Sequence, residues 1–145
     1  MTSQQTQAEA NKAIVRRYRE IHNTGELDQL DQIVAQDIAS HNLLPGLPPG
    51  LEGARLAHQG AVAAFPDVHT KSEDLIAEGD KVVERWSTTS THTGAPFLGV
   101  PASGKKVSVT GISIYRIANG RIVEHWAEMD TLGVMQQLGL VPAPE

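Results

Sequence analysis

At Phe65-Pro66-Asp67 the hydrophobic period of the chain switches from helical to alternating, and no other feature restricts the fold as much. Proline has no amide hydrogen and biases the residue before it toward extended backbone, so a helix cannot run on through Pro66. Upstream, Ala10, Ile14, Tyr18 and Ile21 form the stripe of an amphipathic helix that stops near Asn23-Thr24-Gly25. Leu27, Leu30, Ile33 and Val34 predict a second, shorter helix. Asp37 to Leu44 is a short apolar piece, and a third helix runs from about Glu52 to Ala64 with Leu56, Gly60 and Ala63 on its inner face. Downstream, Val68 to Ala77, Lys81 to Thr93, Val107 to Ala118 and Arg121 to Met129 are rich in β-branched residues, with Glu78-Gly79-Asp80 and Asn119-Gly120 as tight turns. Four antiparallel strands in a meander are expected, closed by a helix over Thr131 to Leu138 with Leu132, Met135 and Leu138 inside. Helices followed by strands make an α+β fold, N-terminal helices packed on a curved antiparallel sheet, with a short C-terminal helix. A chain of 145 residues is expected to form one domain over 1–145.

Composition removes several function classes. The chain has no cysteine, which excludes zinc–thiolate sites, iron–sulfur ligation, a cysteine nucleophile and disulfides, and it fits a reducing cytoplasm. A net charge of −5 with scattered basic residues argues against nucleic acid, which needs a basic stripe to release counterions. The Arg16-Arg17-x-Arg19 cluster is expected on the solvated face of the first helix. Met1 to Asn11 is polar, so no signal peptide is expected, and no apolar run is long enough for a membrane span. His41, His58, His69, His92 and His125 show no metal-ligand spacing, so no metal is expected. Neither a Gly-x-Ser-x-Gly nucleophile elbow nor a Gly-x-Gly-x-x-Gly dinucleotide loop is found in the sequence. Six histidines stand against six aromatic rings, two each of Trp, Tyr and Phe, so the position of each ring matters.

Two loops are dense in turn residues, with three prolines and three glycines in Leu43 to Gly53 and two prolines and three glycines in Gly94 to Lys106. Long loops in a small domain commonly carry a pocket lid or an assembly surface. Together with these, Ala64-Phe65-Pro66-Asp67, Gly79-Asp80-Lys81-Val82, Thr91-His92-Thr93-Gly94, Asn119-Gly120-Arg121-Ile122-Val123-Glu124-His125-Trp126, Asp130 and Gln136-Gln137-Leu138-Gly139 stand in an order and spacing that resembles the SnoaL-like polyketide cyclases, within the nuclear transport factor 2-like superfold. The resemblance spans about Tyr18 to Leu140. It implies a cone-shaped α+β barrel with one small-molecule pocket at its open end, no metal and no cofactor. It also implies a homo-oligomer, dimer or tetramer, commonly built on the outer face of the sheet.

The same resemblance implies that Asp130, in a Trp-x-x-x-Asp position, is the catalytic acid/base. Read from the sequence alone, an aspartate just before a helix is an N-cap that accepts amide hydrogen bonds. Counting in twos places Ile122, Glu124, Trp126, Glu128 and Asp130 on one strand face, so Asp130 faces the cone if Trp126 does, and His125 lies outside. His92 is read either as a second catalytic group or as a pin for the loop that follows it. His41, before the first proline-rich loop, carries the same two readings. Only one of Arg85 and Trp86, and one of Tyr115 and Arg116, can face the pocket; an inward Arg85 holds a ligand oxygen or pairs with Glu84 or Glu124. Tyr115 stands where the family carries a second polar catalytic side chain, often histidine. Tyr18, Phe97 and Trp126 complete the expected contact surface for a small apolar or aromatic carbonyl compound. The activity so implied is intramolecular aldol-type ring closure; the alternatives are a hydrolase or isomerase on the same scaffold, epoxide-hydrolase-like or ketosteroid-isomerase-like, and a non-catalytic binding protein.

Overall fold

A computed structural model describes residues 2–41 and 46–144. The first helix, α1 (Ser3–Thr24), starts at a capping box in which Thr2 and Gln5 exchange side-chain and backbone hydrogen bonds. A 3-10 turn (Leu27–Gln32) leads into β1 (Val34–Ser40), followed by α2 (Gly50–Ala64), β2 (His69–Glu78), β3 (Lys81–Thr91), β4 (Lys106–Ala118), β5 (Arg121–Met129) and α3 (Thr131–Gln137). The strands form one curved, unclosed sheet in the order β1-β5-β4-β3-β2, with α1 and α2 against its inner face.

The four expected strands are present, but a fifth precedes them. The segment read as the end of a second helix and a short apolar piece is β1, which pairs parallel with β5. Its register shifts between Val34 and Ala39, and its two buried side chains, Val34 and Ile38, are four residues apart with Gln36 between them exposed. A four-residue spacing imitates a helix, and the six residues before it form only a 3-10 turn. Part of the first proline-rich loop, residues 43–45, lies outside the described residues, and α2 begins within that loop at Gly50.

Three inner faces also differ from expectation. In α1 the buried residues are Asn11, Val15, Tyr18 and Ile21, while Ala10 is exposed. In α2, Leu51 and Ala64 are buried, and Ala54, Ala57, His58 and Ala61 face the sheet, so Leu56, Gly60 and Ala63 point to solvent. In α3, Val134 and Leu138 are buried and Leu132 is exposed. Each expected stripe has helical spacing, but several rotations of an alanine-rich helix offer a similar apolar arc, and only the partner surface selects one.

Two apolar clusters result. The larger joins α1, the 3-10 turn and β1 to the sheet through Val15, Ile21, Leu30, Val34, Val82 and Ile122. The smaller gathers Ala64, Phe65, Val107, Val134 and Leu138 at the other end. The second glycine-rich loop is tied to the smaller one by backbone: Gly94 N donates to Ala64 O at 3.1 Å and Ala95 N to Ala63 O at 2.8 Å. A Cβ at Gly94 would sit 1.9 Å from the Ala63 carbonyl oxygen. Because that neighbour is backbone, Gly94→Ala is expected to cost about 1–3 kcal/mol, read as a lower urea midpoint.

Candidate active site

A buried ion pair organises the interior. Inward positions on β3 are Val82, Glu84 and Trp86, and on β4 Gly111, Ser113, Tyr115 and Ile117, so Arg85 and Arg116 are turned outward. Glu84 is fully buried and receives Arg19 in a two-pronged contact, Nη2 to Oε1 at 2.7 Å and Nε to Oε2 at 3.1 Å. Tyr115 donates its hydroxyl to Oε1 at 2.7 Å, and the Ser72 hydroxyl donates to Oε2. Burial alone would raise the Glu84 carboxyl, but the Arg19 hydrogen bond and charge outweigh it and hold the carboxyl below its ordinary range. Burial likewise works against the Arg19 cation, and the Glu84 bond more than restores it. Arg19 is thus not part of a solvated face. It is four residues after Val15 and three before His22, so an inward stripe of Val15, Tyr18 and His22 takes it in.

Rings cover this pair. Tyr18 lies 4.2 Å from His22, 5.4 Å from Tyr115 and 6.2 Å from His125 between ring centroids; His22 lies 4.4 Å from His58. His125 stacks face to face on Tyr115 at 4.7 Å and 4°. Its inward position corrects the count in twos. The β4–β5 register shifts by one residue, pairing Ile117 with Ile122 but Arg116 with Glu124 and Tyr115 with His125. Val123 is the extra residue, and a one-residue bulge reverses the facing of everything beyond it.

Burial and the nearby Arg19 charge keep these imidazoles neutral. His125 is lowered to about 4, His22 is driven well below its ordinary value by burial and then by His58, and His58 is lowered by burial and then by Arg19. Burial pushes the Tyr18 phenol up to about 12, so it stays protonated. Desolvation also raises Tyr115 well above its usual value.

Two cavities occupy this interior. One of about 260 Å³ is bordered by Tyr18, Leu30, Ile38, Ser40, Ala57 and His125, and one of about 190 Å³ by Arg19, Thr70, Trp86, Thr88, Val109 and Met129. They share His22, His58 and Ala61, so together they approach the size of an ordinary small-ligand site. Trp86 donates Nε1–H to Ser113 Oγ at 3.0 Å and lies over Gly111, where a Cβ would come 2.2 Å from the indole. A larger depression of about 920 Å³ lies between the start of α1 and the β2–β3 turn. It is rimmed by exposed glutamines and collects no converging ionisable groups beyond Glu78 and Asp80, so it is not the site.

Of the residues singled out in the sequence, Tyr18, Trp86 and Tyr115 come together in the interior, Trp86 and Tyr115 being the inward members of their pairs. Trp126 does not. It faces outward opposite Ile114 and stacks on His41 at 5.0 Å and 11°. His41 Nε2 is 2.7 Å from Glu124 Oε2, and Arg116 Nε donates to Glu124 Oε1 at 2.9 Å, so His41 and Trp126 belong to a cluster on the outer face. Arg85 is exposed and pairs with Asp74 at 2.7 Å, not with Glu84 or Glu124. His92 is fully buried, with Nε2 3.0 Å from Ala95 O and its backbone bonded to Lys105 and Gly104. It pins the second loop, packed 5.1 Å from Phe65, on which Phe97 stands edge-on at 5.2 Å. Neither His92 nor Phe97 borders the interior cavities.

Asp130 is exposed and caps α3, with Oδ1 accepting Gly133 N at 2.9 Å. It borders a shallow outer cavity of about 420 Å³ together with Arg85, Glu128 and Met129. The expected inward facing of Asp130 together with Trp126 is therefore corrected. Met129, the residue before Asp130, borders both this cavity and the 190 Å³ interior one. Glu84, His22, His58 and His125 are site features that the sequence reading missed. The signal for Glu84 was its parity with Trp86 on β3. Among the described residues no cluster of three or more His, Asp or Glu is placed to hold a metal ion, and no helix is long and apolar enough to cross a membrane.

The fold and much of the sequence are shared with known proteins. The family model for the SnoaL-like polyketide cyclase matches residues 12–138. Aklanonic acid methyl ester cyclase DnrD of Streptomyces peucetius is 29% identical over 136 residues, covering 91% of this chain and 93% of that protein. Among solved structures, TsrD from Streptomyces laurentii superposes with a TM-score of 0.83 at 32% identity, covering 92% of this chain and 97% of that one. IdmH from Streptomyces antibioticus does so at 0.78 and 31%, covering 89% and 98%.

Proposed function

This chain belongs to the SnoaL-like polyketide cyclase family, and from that membership we propose that it closes a ring within a polyketide-type carbonyl substrate by intramolecular aldol addition, using side-chain acid–base chemistry without a cofactor. The observation that carries this is the interior cavity: apolar walls, protonated phenols and neutral imidazoles enclosed over a fixed Arg19–Glu84 pair. Apolar walls hold a flexible chain folded on itself, which supplies the entropic advantage of an intramolecular step. Tyr18, kept protonated, is a hydrogen-bond donor for a developing enolate oxygen.

We assign proton transfer to Asp130. A substrate filling the cone and emerging past Met129 would bring its activated carbon to this carboxylate. The carboxylate takes a proton from that carbon, the enolate carbon bonds to a carbonyl carbon of the same molecule, and the resulting alkoxide recovers the proton from the carboxylic acid. Product and substrate are isomers, so no oxidant or reductant is consumed. The homo-oligomer that the resemblance implies would use the outer sheet face, where Ile76 and Ile112 are exposed.

Asn ranks with Asp as an N-cap, so Asp130→Asn keeps the α3 cap while removing the proton acceptor. With aklanonic acid methyl ester, for which DnrD is named, or a related polyketide methyl ester, wild type is expected to form a mass-identical cyclised product, resolved by liquid chromatography. The variant is expected to turn over about 10²–10⁴-fold more slowly with an unchanged unfolding midpoint. Full turnover by the variant would move the base elsewhere; no ring closure by wild type across a panel of such esters would overturn the cyclase assignment.

A further inference from the structure

Two ring nitrogens in the wall of the 260 Å³ cavity, His58 Nε2 and His125 Nε2, are buried without a hydrogen-bond partner among the described residues. Buried polar atoms in folded proteins nearly always have one, and leaving a nitrogen unpaired is costly. The two rings come from different elements, α2 and β5, and yet border the same space. Around them that space is bordered by Leu30, Val34, Ile38, Ala54, Ala57 and Ala61. The alanines of α2 keep the helix side low and leave room for a flat body against the sheet.

From this juxtaposition we propose that His58 and His125 form a two-point anchor for hydroxyl groups on a planar or enolised ligand. The proposal rests on the interior being the substrate cavity and names the chemistry it selects. A neutral imidazole carries one N–H and one lone pair. Whichever form the unpartnered Nε2 takes, a hydroxyl meets it, donating to a lone pair or accepting from an N–H. The O–H of a phenol or of an enolised β-dicarbonyl compound is such a group, whereas an ether has no hydrogen to offer a lone pair. His125, stacked on Tyr115 and edge-on to Tyr18, cannot swing away without breaking both ring contacts, so its Nε2 is held at a fixed place in the wall. Such a site favours hydroxylated, partly aromatic ligands over their methyl ethers, because the hydroxyl can pair with either form of the ring whereas the ether leaves any lone pair buried and unpaired.

The test uses two probes of nearly the same shape, 1-naphthol and 1-methoxynaphthalene, titrated into the whole protein by calorimetry. Naphthol is expected to bind at least about tenfold tighter than its ether. His58→Phe and His125→Phe, which keep a ring in place but remove the nitrogens, are each expected to lower naphthol affinity about tenfold and to leave the ether unchanged. Equal affinities of the two probes for wild type, as expected if water alone satisfies the nitrogens, would overturn the proposal, as would binding of neither. The wild-type comparison stands even if a variant fails to fold. Naphthol cannot cyclise, so the anchor and the cyclase assignment fail separately: discrimination between probes without ring closure of any ester leaves only the anchor, and ring closure without discrimination leaves only the cyclase.

Discussion

Glu84→Ala is expected to destabilise the protein by about 3 kcal/mol, the low end of the range for breaking a buried ion pair. The loss is less the attraction removed than the charge left behind. Arg19 would keep its guanidinium against Tyr18 and Tyr115 with no counter-ion, and the Tyr115 and Ser72 hydroxyls would lose their acceptor together. The low end applies because the Arg19 side chain retains 15% exposure and can draw some solvent, whereas Glu84 has none. Replacing both partners by apolar residues of similar size, Arg19→Met with Glu84→Leu, is expected to cost less than the single change, since neither charge is then stranded. Urea unfolding of the three variants reads this directly. A single variant within about 1 kcal/mol of wild type would mean that Arg19 finds another partner.

A comparable loss is expected from acid alone. His22, His58 and His125 all have folded values below the ordinary histidine value of 6.5. As pH falls below 6.5 the unfolded chain therefore binds protons that the folded chain refuses, and stability falls with it. For His125, which reaches only about 4, the contribution present above pH 6.5 and lost by pH 4 is up to roughly 3 kcal/mol. Glu84 adds a loss of the same sign lower down, because its carboxyl is also held below its unfolded value and must be protonated to unfold the pair. Urea midpoints taken between about pH 7.5 and 4.5 are expected to fall steadily, and His125→Phe is expected to flatten the slope. A stability that stays level from pH 7 to 5 would contradict buried, neutral imidazoles in the cone.

The strands after Pro66 were legible almost residue by residue because each is long, β-branched and bounded by a turn of known chemistry: Gly79-Asp80 before β3 and Asn119-Gly120 before β5. Legibility failed at two of the three register shifts, those in the β1–β5 and β4–β5 pairs. In β1 the helical spacing of Leu27, Leu30, Ile33 and Val34 ran into the strand, the exposed Gln36 interrupted its alternation, and the strand went unread. In β5 the extra residue Val123 exchanged the faces of His125 and Trp126, carrying the histidine into the cone and the tryptophan out to His41. A bulge leaves little trace in composition, since it depends on how two strands meet, and one suffices to reverse an inference about every later side chain.

The sequence by itself determined the α+β order, four of the five strands, the three helices of the final fold and the family, because periodicity, proline and turn residues act locally and need no partner to be read. Only the tertiary structure decided which polar groups are inside. Glu84, Arg19, His22, His58 and His125 are ordinary surface residue types, and what keeps them buried is one another: a carboxylate against a guanidinium, and rings stacked on rings between helix and sheet. Such compensation requires elements far apart in sequence to meet, Arg19 and Glu84 being 65 positions apart, and no local pattern records that meeting.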